Sequence, residues 1–297
     1  MGLQSRPDLP LRAAGRVGAG KGGERLSAIY DLFEAHFEIV RADSRELLDA
    51  AYALRYQVYC LENPFEDAEL HRDRREQDVY DARAVHALIR NRRSREFAGC
   101  VRLILPDPAD PNELLPIEAD CAQAFYDDEW AARAAIDRTR LAEISRFAVS
   151  KDFKRRLYEG RTPSGAATGV IYQDPERDAE MAQRSLPHIT IGLIAAVIRL
   201  SVEHGITDWY AVMEPSLLRL LSRFGIRFRA VGRLVDHHGR RRPAAARVVD
   251  VIRRIHSERP DVWEIVSDRG RFPGLEEDGP WLTEDAGCNG DSPCQSR

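Results

Sequence analysis

Three groups of charged residues interrupt apolar stretches of this 297-residue chain. Arg55 stands in "LRYQVY" beside the apolar face of a helical pattern. Glu76, Asp78 and Asp81 stand in "EQDVYD", and Arg102 in "CVRLIL" goes with Glu143 and Arg146 of "LAEISRFAVSKDFKRR". Leaving a buried charge unpaired costs on the order of several kcal/mol even after relaxation. A purely structural strand would therefore not carry Glu143 and Arg146 without partners. Carboxylates mixed with arginines serve two chemistries: proton transfer by a carboxylate whose surroundings set its pKa, and bidentate gripping of a carboxylate by a guanidinium. The bland reading is a structural ion network. Taken singly, Arg55 reads as a snorkelling side chain, the acidic loop as a solvated face, His86 as a satisfied core histidine, and Glu214-Pro215 as a helix start.

Strict alternation along Leu141–Val149 puts Leu141, Glu143, Ser145, Phe147 and Val149 on one face, with Ile144, Arg146 and Ala148 on the other. Glu143 and Arg146 then share a face only if a β-bulge intervenes. Bulges re-aim side chains beside active sites and release backbone N–H groups from the ladder, here near Phe147, Ala148 and Val149.

The elements that must position these residues follow from periodicity. "SRELLDAAYALRYQVYCLE" carries Leu47, Leu48, Ala51, Leu54, Val58 and Leu61 at helical spacing, with Ser44 as N-cap. The strand "HFEIV" precedes it, and the polar segment from Asn63 to Asp81 follows. "AVHALIRN" and "EFAGCVRLILP" read as adjacent strands, and two short helices lead to the 141–149 strand. A Gly/Thr/Ser-rich loop spans about 157–184. Then come the apolar helix 185–204 ended by Gly205, the strand "TDWYAVMEP", the helix "SLLRLLSRFG", and the strands "IRFRAVG" and "AARVVDV". Adjacent strands early and strand-helix-strand later predict a mixed α/β sheet with helices on both faces. The expected organisation is a disordered arm at 1–24, one domain at 25–272 and a flexible tail at 273–297.

At 43% hydrophobic and 31% charged residues, the composition is that of an ordinary globular domain. Net charge −4 argues against general nucleic-acid binding. No apolar run approaches the roughly 18 residues of a membrane span, and the basic start lacks the apolar core of a secretory signal, so a cytoplasmic protein is expected. Five cysteines without CxxC spacing indicate neither a zinc site nor a disulfide framework. No metal is expected.

Taken together, "LRYQVYCLE", "EQDVYD", "VHALI", "GCVRLILP", "LAEISRFAVSKDFKRR", "YAVMEPSLLRLLSRFGI" and "HHGRRRPA" occur in the order and approximate spacing of a family. The chain resembles, over about 37–268, the acyltransferases associated with the PEP-CTERM/exosortase system. That family is similar to N-acyl amino acid synthases and, more distantly, to acyl-homoserine-lactone synthases, all on the GNAT fold. The resemblance implies a mostly antiparallel sheet whose central strand is bulged and splays from its parallel neighbour, leaving a cleft for a thioester. It implies that Arg55, Asp78 and Asp81 with Glu76, Arg102, Glu143 and Arg146 correspond to the family's charged site residues.

Two departures bear on substrate. Between Tyr59 and Glu76 there is Phe65 but no Trp, unlike lactone synthases. After the central strand, "SKDFKRR" replaces the Gly-rich loop that cradles the diphosphate of acyl-CoA. Acyl carrier protein presents one phosphate and an acidic surface, which Lys151, Lys154, Arg155 and Arg156 would attract. The expectation is N-acyl transfer from acyl carrier protein, or acyl-CoA, to a small amine such as an amino acid, with no bound cofactor. Glu143 is the first candidate base and the Glu76/Asp78 pair the second. Arg146 and Arg102 would hold the acidic loop or an acceptor carboxylate, and Arg55 would order that loop with Asp81. Ser145 and the backbone N–H groups of Phe147, Ala148 and Val149 would meet the reacting carbonyl. The alternatives are a lactone-synthase-like signal synthase and a non-catalytic sensor of acyl carrier protein.

Overall fold

The period-two runs become strands and the 3.6-period runs become helices around one sheet. The computed structural model describes residues 21–151, 153 and 188–283, with side chains described from residue 29. The strands are β1 (Phe37–Arg41), β2 (Ala84–Asn91), β3 (Phe97–Ile104), β4 (Leu141–Val149), β5 (Asp208–Met213), β6 (Arg229–Ala230), β7 (Val235–Asp236) and β8 (Arg240–Arg247). They form an eight-stranded sheet in the order β1-β2-β3-β4-β5-β8-β6, with β7 on β8. Every pairing is antiparallel except β4 with β5. This is the mixed, mostly antiparallel GNAT-like sheet that was expected.

Helices cover both faces. On one side α1 (Lys21–His36), α5 (His188–Glu203) and α8 (Pro260–Val266) pack together, and α5 lies across β1 to β4. Helix α5 is apolar all round and almost wholly buried, as such a helix must be. On the other side α2 (Arg45–Tyr56) lies over β2 and β3, its first turn capped by Ser44 Oγ accepting from Leu47 N. The helix continues not as α but as a π-helical turn, Gln57–Glu62. The short α3 (Pro116–Asp120) and α4 (Asp127–Ala132) build a second apolar cluster with Leu141 and Tyr210, and α6 (Pro215–Arg223) and α7 (Val248–Glu258) complete the fold.

Several expectations need correction. Residues 21–24 belong to α1 rather than to an arm, and that helix buries Tyr30 and Phe33. Residues 273–283 are not a free tail, because Leu275 and Trp281 are buried in the main core. "AARVVDV" is only half strand: β8 stops at Arg247, and Val248, Val251, Ile252 and Ile255 form the buried stripe of α7. A short β-branched run cannot be told from a helical stripe by periodicity alone. Of "IRFRAVG" only Arg229–Ala230 is strand. His86 is buried but not satisfied, since among the described residues neither ring nitrogen has a hydrogen-bond partner.

Candidate active site

The bulge is present and its position decides the site. Cys100 faces Ala148 and Arg102 faces Ser145, so Val101 alone opposes both Arg146 and Phe147. Arg146 takes φ +49°, a left-handed conformation that costs a non-glycine residue roughly 1–2 kcal/mol. The extra residue changes the alternation. Ala142, Ile144, Phe147 and Val149 face the main core, while Glu143, Ser145 and Arg146 all turn towards α2, α3 and the acidic loop. Strict alternation is thus corrected for Arg146 and for Phe147 to Val149.

On that face the separated charges meet. Arg55 Nε donates to Glu76 Oε2 at 2.5 Å, and its Nη1 and Nη2 grip Asp81 at 2.6 and 3.1 Å. Arg102 donates from Nη1 to Asp78 at 2.6 Å and Asp81 at 2.8 Å, and from Nε to Ser145 Oγ at 2.9 Å. Arg146 donates from Nη2 to Glu76 at 2.9 Å, Asp78 at 3.2 Å and Glu66 at 3.3 Å. The loop also closes on itself: Asp78 Oδ1 accepts from Tyr80 N, and Asp81 Oδ2 accepts from Asp78 N. The side chains of Arg55, Asp81 and Arg102 are no more than 6% exposed. Arg55 and Arg102 both donate to Asp81, and Arg102 also donates to Asp78, so the two arginines tie the acidic loop to α2 and β3.

Electrostatics separate the candidate bases. Burial works to raise the Glu76 carboxyl, but Arg146 and Arg55 outweigh it and hold it down at about 2. Asp81 is likewise held well below the carboxylate range against burial, by Arg55 first and then Arg102. Glu143 behaves in the opposite way. Burial pushes it up to about 8, with only the Ile117 N–H and the more distant Arg102 and Arg146 pulling it down. Its Oε2 accepts from Ile117 N at 2.8 Å, and among the described residues no cation forms an ion pair with it. Glu76 is therefore ionised and only weakly basic near neutral pH, whereas Glu143 is mostly protonated there and is the stronger base once it ionises. His86 Nε2 lies 3.4 Å from Asp81 without hydrogen-bond geometry, and burial holds the ring neutral with a pKa of about 4.

Beside Glu143 the sheet opens. The parallel β4–β5 ladder runs from Leu141 opposite Asp208 to Ile144 opposite Ala211 and then ends. Residues 145–149, including Ser145, Phe147, Ala148 and Val149, have no β5 partner. Tyr59 OH donates to Phe147 O at 3.3 Å and pins the bulge from the π-turn side. Lys151 N donates to the Glu62 carboxylate, and Lys151 Nζ donates to Glu62 O. Lys154, Arg155 and Arg156 lie outside the described residues.

Sequence reasoning missed three contributors. Glu118, clamped by Arg138 at 2.6 and 2.7 Å, fixes the α3 turn that presents Ile117 N. The signal was "LPIEAD", with Pro116 at the first helical position and Glu118 accepting from Leu115 N. Glu66 joins Arg146 to His238, whose Nε2 is 3.6 Å away, and nothing in the sequence marks it. Glu62 is the third. Among the described residues no group of three His, Cys, Asp or Glu is arranged to hold a metal, and no helix is long and apolar enough to cross a membrane.

Residues 54–160 match the family described as acetyltransferase (GNAT) domain. The segment runs from the end of α2 beyond β4 and contains every member of the charged cluster. With the split, bulged sheet it defines the class: an acyltransferase on the GNAT fold. No curated protein matches the chain. Among solved structures the chain is similar to TofI, in a ternary complex with an inhibitor and MTA, at 17% identity over 76% of this chain and 98% of that one, TM-score 0.48. It is similar to FeeM, an N-acyl amino acid synthase from uncultured soil microbes, at 16% identity over 73% and 93%, TM-score 0.44. BjaI, a CoA-dependent acyl-homoserine lactone synthase, shares 20% identity over 84% and 96%, TM-score 0.45.

Proposed function

We propose that this protein is a cytoplasmic N-acyltransferase that moves a fatty acyl group from the thioester of acyl carrier protein to the amine of a small acceptor such as an amino acid. The observation that carries the reading is Glu143: a buried carboxylate near pKa 8, beside the point where β4 leaves β5. The order of the seven sequence stretches adds the association with the PEP-CTERM/exosortase system.

In this mechanism the acceptor nitrogen attacks the thioester carbonyl, and Glu143, directly or through one water, removes the proton that the nitrogen must lose. The tetrahedral oxyanion meets backbone N–H groups of Phe147 to Val149 that have no β5 ladder partner. Collapse forms the amide and expels the thiolate, which takes up the proton. The step is redox-neutral and consumes only donor and acceptor. Arg55, Asp81, Arg102 and Arg146 fix the acidic loop, and Arg146, 16% exposed at its side chain, is the arginine with access to the cleft. Lys151, Lys154, Arg155 and Arg156 would steer the acidic carrier protein.

The test is purified protein with long-chain acyl carrier protein or acyl-CoA and a panel of amines, following thiol release and amide mass. Faster release from the carrier-protein donor is expected. Consumption of S-adenosylmethionine would instead make it a lactone synthase, and no thiol release with any pair would leave a sensor.

A further inference from the structure

One residue accepts from both the backbone N–H and the ammonium of the first cationic residue past β4. Glu62 accepts from the Lys151 N–H with Oε2 at 2.9 Å and Oε1 at 3.1 Å, while its carbonyl accepts from Lys151 Nζ. Its carboxylate is braced by Gln57, whose Nε2 donates to Glu62 Oε1 at 2.9 Å and to Ser150 Oγ at 3.3 Å. The π-helical turn Gln57–Glu62 makes this possible. A π-turn holds more residues than an α-turn, so it rotates Glu62 relative to the face that a continued α2 would give it. Such turns recur at functional sites.

A carboxylate and a phosphate compete for the same donors, because backbone N–H and ammonium groups recognise either anion. We propose that the Glu62 carboxylate is a built-in competitor of the donor's phosphate: it occupies the Lys151 backbone N–H and lowers affinity for any phosphate-bearing acyl donor. This rests on the reading above that the donor's pantetheine arm reaches the end of β4. Small free phosphates cannot displace Glu62 cheaply. A carrier protein can, because contacts elsewhere on its surface supply the binding energy. Glu62 thereby selects donors that bring more than a phosphate.

The test is calorimetric binding of 4′-phosphopantetheine and of phosphate-free pantetheine to the full chain and to Glu62→Gln. Glu62 is half-buried, so its repulsion is only partly screened. The variant is expected to bind phosphopantetheine at least about tenfold more tightly, with pantetheine unchanged. If Glu62→Gln loses its folded melting transition, Gln57→Ala serves instead, expected to give a smaller gain in the same direction by unbracing the carboxylate. Equal gains for both ligands, or no gain, overturn the proposal. A phosphate-specific gain without acyl transfer to any acceptor would sink the enzyme reading while leaving the competitor intact. Acyl transfer without the gain would do the reverse.

Discussion

Arg146 Nη2 lies 2.9 Å from Glu76 Oε1, a carboxylate 70 residues earlier in the chain, and only the bulge at Arg146 and Phe147 lets that contact form. The backbone strain of a left-handed arginine is offset by hydrogen bonds from its guanidinium to three carboxylates. Local geometry and long-range charge pairing are therefore one device, which fixes the acidic loop against the strand carrying Glu143.

Replacing Glu143 by Gln keeps the Ile117 hydrogen bond but removes the base. The turnover of wild type should rise with pH through about 8, as Glu143 ionises. The variant should lose roughly 10²- to 10⁴-fold in rate together with that limb. Thiol release measured from pH 6 to 9.5 checks both. Stability moves the other way. The folded carboxyl holds its proton above its ordinary value, so wild type loses stability as pH rises from 4.5 towards 8, and Glu143→Gln should flatten that loss in urea titrations.

Arg55 pairs with Glu76 and Asp81 at full burial. Arg55→Ala leaves both carboxylates short of a partner and should cost about 3–5 kcal/mol of unfolding free energy in denaturant titrations. A cost below about 1 kcal/mol, the value of a surface pair, would show that water reaches the cluster.

Acid should dismantle the same cluster in sequence. Burial depresses His86, so the stability tied to its neutral ring is lost as pH falls from 6.5 towards 4. Glu76 is depressed too, and its contribution goes as pH falls from 4.5 towards 2. In the Glu143→Gln background, where the opposing Glu143 contribution is absent, urea midpoints at pH 7, 5 and 3 should therefore decline steadily. Glu76→Gln, less stable at pH 7, should show a shallower decline below pH 4.5.

Arg138 acts on Glu143 through Glu118 and the α3 turn. Arg138→Ala should loosen the Ile117 N–H and raise Glu143 further, moving the pH–rate midpoint upward. A merely structural role would lower the rate without moving the midpoint.

At Gly99 on β3, an added Cβ would stand 2.9 Å from Ala148 O and 3.0 Å from Ile189 Cγ2. Gly99→Ala must push β4 or α5 away beside the bulge. A loss of about 1–3 kcal/mol is expected, measured by thermal unfolding.

Charges set inside apolar elements, the α2 pattern with its Ser44 cap, and the strand-helix order of a mixed sheet are all legible in the residue order alone. These are local matters of periodicity, capping and desolvation, and Arg55, Glu76, Asp78, Asp81, Arg102 and Arg146 were legible because buried charge needs a partner. The roles within the group were not legible. Glu76 and Glu143 are both glutamates in apolar surroundings, yet one is held near 2 and the other near 8, because arginines from α2 and β4 surround the first while a single N–H from α3 meets the second. The bulge site, the π-turn that swings Glu62 onto Lys151, and the helical start of α7 were likewise decided by packing. Charge pairing falls off with distance, and only the tertiary structure sets the distances.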